Sequence, residues 1–339
     1  MKEDLVDPKM EERTTPGSRV RVIGILKEVP VPLQTGAIST RFDLAVEANN
    51  VIPLEETFEE FEISEEDERQ IQELAADKNI LQKMAESIAP SIYGYEEVKQ
   101  ALVLQLFGGV KKKRADGTEA RGDIHILLVG DPGVAKSVVL KFMSALAPKG
   151  RYVVGKAASG AGITATVVRD EFLRGWSLEA GAMVLSNKGL VCIDEIDKME
   201  PQDRSAMHEA MEQQTVTISK ANVQATLRAE TSVLAAANPK LGRFEPFQVI
   251  AQQIDMPPTL LNRFDIIFTL RDLPERGRDE AIATHVLLEH KREGKKQIID
   301  KDLFRKYIAY AKQKIQPLLT TEAIDEIKKF YVELRNWMV

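Results

Sequence analysis

Residues 130–137 read Gly130-Asp131-Pro132-Gly133-Val134-Ala135-Lys136-Ser137, and they indicate the fold class more strongly than any other segment. The apolar run 124–129 leads into it, and apolar residues at helical spacing follow over 138–143. A strand, a tight glycine loop and a helix in this order are the context that a phosphate-binding loop requires. The order predicts an α/β core in which the loop joins a buried strand to the next helix.

The loop contains the residue types that phosphate binding needs. Gly130 and Gly133 let the backbone curl, so that successive N–H groups point at one anion, and the dipole of the following helix adds to that field. Lys136 is expected to reach the β- and γ-phosphates, and the Ser137 hydroxyl to hold Mg²⁺. Ala135 stands where the G-x-x-x-x-G-K-[ST] pattern has its second glycine. The alternative is therefore a glycine-rich turn without phosphate chemistry.

Length and composition are those of a globular protein. The chain has 339 residues, enough for two domains, of which 44% are hydrophobic and 29% charged. No apolar stretch approaches the ~18 residues of a membrane span, and residues 1–4 are too polar for a secretory signal. Cys192 is the single cysteine, which favours a reducing intracellular compartment. Because the net charge is −6, any nucleic-acid contact needs a local basic surface.

Residues 14–54 have the pattern of β structure. Apolar and polar residues alternate over 19–26 and again over 40–48, as is typical of half-buried strands. The segment between these runs suits a long hairpin loop, because it contains Pro30, Pro32 and Gly36. Two or three strands do not form a stable sheet alone, so we expect the end of a small β-barrel.

An acidic linker, residues 55–62, separates this segment from the rest of the chain. Ser64 can cap a helix whose first turn, 65–68, is acidic. From about residue 64 onward, α and β patterns alternate, as expected for a parallel sheet with helices on both faces.

Polar residues follow two further strand patterns. Asp194 and Glu195 come directly after the short apolar run 190–193. An acid at such a strand end can join the Mg²⁺ shell and the next acid can activate a water, so we predict these roles for Asp194 and Glu195, respectively. Asn238 follows the run 231–237 and is expected to help hold the same water. The alternatives are a solvated acidic pair and a simple Asn-Pro turn.

Arg263 precedes the strand pattern 266–270. An arginine in this place can complete the nucleotide site of a neighbouring subunit as an arginine finger. A structural Arg263–Asp265 ion pair is an equally good interpretation of the chemistry.

These motifs together resemble the AAA+ module of the minichromosome maintenance (MCM) family of replicative helicases, over nearly the whole chain. Alanine at position 135 matches the family's form of the phosphate loop, and 191–199 matches its Walker B segment. Asn262-Arg263-Phe264-Asp265 resembles the family's Ser-Arg-Phe-Asp. The segment 87–94 resembles the one that frames adenine, which places the base near Ile92 and Tyr93.

The resemblance also implies DNA contacts and partner subunits. Residues 166–182 look like the family's helix-2 insertion and 214–223 like its presensor-1 hairpin, with Lys220 at the turn. In the family this hairpin lines the channel of a hexameric ring and grips a single DNA strand, whereas an exposed hairpin lysine alone is usually a solvated charge. The resemblance places Gln213 against the neighbouring subunit.

The resemblance implies four regions. They are the end of an OB-type barrel over 1–54, the linker and first helix over 55–85, the AAA+ core over 86–290, and the start of a helical lid over 291–339. The family's sensor-2 arginine falls beyond the last residue.

The implied activity is an ATP- and Mg²⁺-dependent DNA helicase that works with related subunits and replication factors and without a membrane. The location is the cytoplasm in an archaeon or the nucleus in a eukaryote. The alternative is a divergent or truncated homologue that binds nucleotide, DNA or both without unwinding and acts as a partner or regulator.

The histidines do not have metal-binding spacing. His285 and His290 lie five residues apart on one predicted helix, which does not place both on one face. His125 falls within a buried strand pattern and is expected to be a hydrogen-bonded core residue. We predict no zinc held by the protein.

Overall fold

The computed structural model describes residues 20–32, 38–54, 57–58, 60–114, 116–117, 119–156, 160–170, 175–220, 223–245, 247–291 and 298–337. The strands are β1 Val20–Pro32, β2 Ile38–Pro53, β3 Lys112–Lys113, β4 Glu119–Ala120, β5 Ile126–Gly130, β6 Arg151–Val154, β7 Ala165–Asp170, β8 Gly175–Ala180, β9 Leu190–Asp194, β10 Thr215–Lys220, β11 Val223–Arg228, β12 Ser232–Ala237 and β13 Ile266–Leu270. The helices are α1 Glu65–Ala75, α2 Ile80–Ser87, α3 Glu96–Phe107, α4 Lys136–Leu146, α5 Gly160–Ile163, α6 Ala182–Leu185, α7 Pro201–Gln213, α8 Pro258–Leu261, α9 Arg276–His290, α10 Lys301–Lys314 and α11 Thr321–Trp337.

Five parallel strands form the central sheet, in the order β13-β5-β12-β9-β6. β5, β9 and β12 are buried along their whole length, as continuous apolar runs in a parallel sheet require. Parallel strands share one carboxyl edge, and ligands bind at that edge in open α/β sheets. Gly130, Asp194 and Ala237, which end these three strands, therefore lie at the same carboxyl edge of the sheet.

Helices cover both faces of this sheet. Along β5, Ile126 and Leu128 belong to an apolar layer that includes residues of α3 and α4. The alternate residues, Leu127 and Val129, belong to a second layer that includes residues of α7. The predicted parallel sheet with helices on both faces is thus confirmed.

β1 and β2 pair as a two-stranded antiparallel sheet, which agrees with the predicted β segment. The predicted loop was wrong in its extent, because Pro30 and Pro32 lie in β1, where the pairing register shifts between them. Each strand of a two-stranded sheet has a free edge, where a residue without an N–H is tolerated. Gly36 lies outside the described residues.

Ser64 caps α1 as predicted. Its hydroxyl accepts a hydrogen bond from the Asp67 backbone N–H at 3.2 Å, and the Asp67 carboxylate accepts one from the Ser64 backbone at 3.1 Å. α10 packs against this helix through an ion pair between Lys306 and Asp67 at 2.7 Å, and it buries Phe304 and Ile308 in the core. Over the described ranges, no helix combines the length and the apolar character needed to span a bilayer.

Candidate active site

The phosphate loop joins β5 to α4 through left-handed backbone conformations. Gly133 has a φ of 90°, and Ala135, directly before α4, has a φ of 62°. Glycine adopts this region freely, whereas an alanine there costs roughly 1–2 kcal/mol. The curl that the sequence predicts is therefore present, and it is kept at position 135 in spite of the side chain.

Lys136 is the first residue of α4, within the loop sequence, and it is buried. Its ammonium donates hydrogen bonds to the carbonyl oxygens of Gly130 at 2.6 Å and Asp131 at 2.8 Å. Burial lowers the pKa of Lys136, while the carboxylates of Asp194, Asp131 and Asp197 act in the opposite direction. A cation thus sits among backbone carbonyls and acids, at the position from which it is predicted to reach phosphates.

Asp131 uses all its polar groups inside the protein. Its carboxylate accepts hydrogen bonds from the backbone N–H groups of Phe244 at 2.8 Å and Asp272 at 2.9 Å. Its own N–H donates to the Leu270 carbonyl at 3.0 Å. The side chain therefore ties the loop to the segments that follow β12 and β13.

Asp194 ends β9 and is held by both of its carboxylate oxygens. One oxygen accepts a hydrogen bond from the Glu195 backbone N–H at 3.0 Å, and the other from the Tyr152 hydroxyl at 2.8 Å. Burial and the bond to Asp194 raise the pKa of Tyr152, so the hydroxyl keeps its proton as a donor. Glu195 has a φ of 52°, and such strained backbone is concentrated at functional sites.

Asn238 lies between the phosphate loop and Asp194, because β12 lies between β5 and β9. Its backbone N–H donates to the buried carboxylate of Asp197 at 3.2 Å. The other Asp197 oxygen pairs with Lys198 at 3.0 Å. The structure thus brings the three predicted motifs, at 130–137, 194–195 and 238, to one edge of the sheet.

The residues at this edge fit Mg²⁺. Hydroxyl and carboxylate oxygens are the ligands that this hard cation prefers, and Ser137 and Asp194 supply them at the start of α4 and the end of β9. The carboxylates of Asp194 and Asp197 act on the neighbouring Lys136, so the place is acidic as well as oxygen-rich.

The Arg263 side chain contacts α7, away from this edge of the sheet. Its guanidinium pairs with Glu212 at 2.6 Å and donates to the His208 imidazole at 3.2 Å. The alternative ion pair with Asp265 is wrong, because Asp265 pairs with Arg121 at 2.9 Å. Among the described residues, no polar contact of Arg263 reaches the phosphate loop. Gln213, adjacent to Glu212 on α7, is exposed.

Ile92 and Tyr93, which are predicted to lie near adenine, line a cavity of about 570 Å³. α9 supplies another wall, where the His285 ring lies 5.9 Å from the Tyr93 ring and its Nε2 lies 3.1 Å from the Pro90 carbonyl. The described lining does not include residues 130–137.

Two antiparallel ribbons occupy the segments that resemble the family's helix-2 insertion and presensor-1 hairpin. β7 pairs with β8, and β10 pairs with β11. Lys220 is the last residue of β10, and the turn residues 221–222 lie outside the described part. At the base of the second ribbon, the Gln214 side chain donates to the Asp123 carboxylate at 2.5 Å. Burial raises the pKa of Asp123.

Comparison with known protein families gives two matches. Residues 67–290 match the family model of the MCM P-loop domain, and residues 302–338 match that of the MCM AAA-lid domain. The first match alone covers more than half of the chain. The chain belongs to the MCM family.

Individual MCM relatives agree over almost the whole chain. The minichromosome maintenance protein MCM of Saccharolobus solfataricus is 47% identical over 99% of this chain. The DNA replication licensing factor mcm7 of Schizosaccharomyces pombe is 43% identical over 95%, and MCM5 of Arabidopsis thaliana 38% identical over 97%. The aligned part makes up 48%, 43% and 47% of these relatives, respectively, so the chain spans about half the length of the curated relatives it matches.

His125 is a core residue of this MCM chain, as predicted. Its Nδ1 accepts a hydrogen bond from the Val233 backbone at 3.1 Å, and burial lowers its pKa to about 3. His285 and His290 both lie on α9. The described residues contain no group of three or more histidine, cysteine or acidic side chains that could hold a metal.

Sequence reasoning missed three contacts of the MCM site. Asp197 lies within the Walker B segment, so its spacing from Asp194 was a usable signal. Tyr152 and Glu212 gave none, because their roles depend on β6 lying beside β9 and on α7 lying beside Arg263.

Proposed function

We propose that this chain is the ATP-hydrolysing region of an MCM-type DNA helicase, which couples hydrolysis at subunit interfaces to movement along DNA during replication. The observation that carries the proposal is the separation of Arg263 from the other predicted site residues. Lys136, Asp194 and Asn238 lie at one edge of the sheet. The Arg263 side chain instead pairs with Glu212 of α7. An arginine placed in this way would serve the nucleotide of an adjacent copy.

The phosphates of ATP would occupy the loop 130–137. Lys136 would exchange its carbonyl partners for phosphate oxygens, which bear more negative charge. Ser137 and Asp194 would hold Mg²⁺, which would neutralise charge on the phosphates. The adenine would lie near Ile92 and Tyr93, in or beside the cavity that they line.

Hydrolysis needs a base, an oriented water and a cation near the transferred phosphoryl group. Glu195 would accept the proton of the attacking water, and the Asn238 amide would orient that water. Arg263 of the adjacent subunit would stabilise the charge that develops, a contribution of ~10³–10⁵ in rate where it is measured. Gln213 would face the same interface from α7.

DNA would be gripped by the two ribbons, with Lys220 near the tip of β10–β11. Because the chain carries a net charge of −6, binding would depend on such local cations. The hydrogen bond between Gln214 and Asp123 would fix the base of the ribbon to the core, so that a rotation of the core moves the tip. Related subunits in a ring and replication factors would be the protein partners.

The proposal is tested by dilution. ATPase rate per subunit and unwinding of a forked DNA duplex are measured over a wide range of protein concentration, with Lys136→Ala as the inactive control. A shared site predicts that both rates per subunit fall as the assembly dissociates. A rate per subunit that is independent of concentration would contradict shared sites. ATP hydrolysis without unwinding at any concentration would instead identify a nucleotide-binding homologue that is not a helicase.

A further inference from the structure

Tyr152 is the one polar side chain from the edge strand β6 that reaches Asp194 among the described contacts. The hydroxyl donates to one Asp194 oxygen at 2.8 Å, while the Glu195 backbone N–H donates to the other at 3.0 Å. A carboxylate held at both oxygens cannot turn about its bond to the β-carbon. The direction of its remaining lone pairs is therefore set by the fold.

The fold holds the donor as firmly as the acceptor. β6 is parallel to β9, with Tyr152 opposite Cys192, so the phenol extends along the sheet toward the end of β9. Its ring packs against the apolar layer that includes α4. The Lys141 ammonium of α4 lies 5.4 Å from the ring centroid, and the same helix carries Ser137.

We propose that Tyr152 is a positioning residue for metal binding, whose hydroxyl orients the Asp194 carboxylate toward the magnesium ion that accompanies ATP. The inference rests on the proposed function, since it assigns Asp194 to that metal. Hydrogen-bond partners of metal ligands commonly change metal affinity or activity by ~10–100-fold when they are removed.

A purely structural role for Tyr152 makes a different prediction. If only the ring matters, removal of the hydroxyl leaves the metal dependence unchanged, because phenylalanine fills the same space. If the hydroxyl positions Asp194, its removal weakens the response to Mg²⁺ and leaves metal-free nucleotide binding as it was. A variant that lacks only the phenol oxygen of Tyr152 therefore distinguishes the two roles.

The test is Tyr152→Phe, with binding of a fluorescent ATP analogue measured in EDTA and during titration with Mg²⁺. We expect unchanged affinity in EDTA and an increase of about 10-fold in the Mg²⁺ concentration that gives half of the metal-dependent change. Tyr310→Phe is the matched control, because it removes a hydroxyl that donates to Glu68 at the same 2.8 Å, between α10 and α1. This control should titrate like the wild type.

Three results would overturn the inference. Tyr152→Phe could titrate with Mg²⁺ as the wild type does, or it could lose affinity equally in EDTA, which would show damage to packing. A wild-type protein that binds the nucleotide without any response to Mg²⁺ would remove the proposed function together with the inference. The first two results leave the proposed function standing, so the two failures are distinguishable.

Discussion

Two regions of the molecule carry the proposed chemistry, and they differ in how far their side chains are buried. In the phosphate-loop region, residues 130–137 with Asp194, Asp197 and Asn238, the buried side chains of Lys136, Asp131, Asp194 and Asp197 each form hydrogen bonds with backbone groups. At the arginine edge, formed by Arg263, His208, Glu212 and Gln213, the central ion pair is open to solvent, with 33% of the Arg263 side chain and 44% of the Glu212 side chain exposed.

The two regions therefore differ in whether one chain is enough to form them. The phosphate-loop region is assembled by the fold of one chain, so its defects should appear as lost binding or lost stability. The arginine edge contributes little to stability, since exposed ion pairs add only ~0–1 kcal/mol. Its defects should appear only in the rate of hydrolysis by an assembly.

The largest effect is expected from Arg263→Ala. The rate of ATP hydrolysis should fall about 10³-fold or more, while the affinity for a fluorescent ATP analogue stays within about twofold, because the residue acts on the transition state and not on nucleotide binding. Steady-state ATPase assays and a binding titration measure the two quantities. Arg276→Ala, at a side chain that is 93% exposed, should change neither. Wild-type ATP hydrolysis by Arg263→Ala would show that the arginine edge has no part in the reaction.

Asp131→Ala should give the next largest effect, on stability. Its carboxylate accepts two partly buried backbone hydrogen bonds, and a buried donor left unpaired costs ~1–3 kcal/mol. We expect the free energy of unfolding in urea to fall by about 1–3 kcal/mol. Asp302→Ala, at a side chain that is 81% exposed, is the control. Equal losses in the two variants would show that the phosphate-loop region is not held as described.

His125 lies directly before β5 and should make stability depend on pH. Its backbone N–H donates to the Asp265 carboxylate at 2.8 Å, and its carbonyl accepts a hydrogen bond from the Asp265 backbone N–H at 2.9 Å. β5 follows directly and leads to the phosphate loop. Burial lowers the pKa of His125 to about 3 from the ordinary 6.5. Between these values the unfolded chain binds a proton that the folded chain does not, so stability falls as the pH falls.

The slope expected from His125 is about 1.4 kcal/mol per pH unit below pH 6. Urea unfolding of the wild type and of His125→Gln between pH 6 and pH 4 measures it, and the variant should show a smaller slope. His290→Gln, at an exposed position, is the matched control. An unchanged slope in His125→Gln would contradict the burial of a neutral imidazole.

The smallest effect is expected from Ala135→Gly. Glycine removes the left-handed strain of roughly 1–2 kcal/mol but adds roughly 0.5–1 kcal/mol of backbone entropy to the unfolded chain. The net result should be a gain of about 0–1.5 kcal/mol, with unchanged nucleotide affinity. A loss of stability in thermal or urea unfolding would show that position 135 is not strained.

Sequence alone placed the three predicted motifs of the phosphate-loop region at one edge of the sheet, for a physical reason. Each of its motifs is short and continuous, and each follows an apolar strand, so parallel pairing brings the strand ends together without further information. Lys136, Asp194 and Asn238 were placed in this way. The resemblance then gave the family, which the matches over 67–290 and 302–338 confirm.

The remaining contacts depend on neighbours that the sequence does not specify. Tyr152 reaches Asp194 only because β6 lies beside β9 at the sheet edge, and strand order cannot be read from local patterns. Arg263 had two interpretations, a role at a neighbouring subunit's nucleotide and an ion pair with Asp265, and its pairing with Glu212 was expected from neither, because it depends on α7 lying beside it. Pro30 and Pro32 looked like loop residues because a strand in a larger sheet would exclude them.

The sharing of each site between two copies is tested most directly by mixing Arg263→Ala with Lys136→Ala and measuring ATP hydrolysis. Each variant alone lacks one half of every site. In an equal mixture, roughly a quarter of the interfaces would combine an intact Lys136 with an intact Arg263 from the adjacent copy. We predict that the mixture hydrolyses ATP far faster than the sum of the two variants alone. A mixture no more active than that sum would contradict a site shared between subunits.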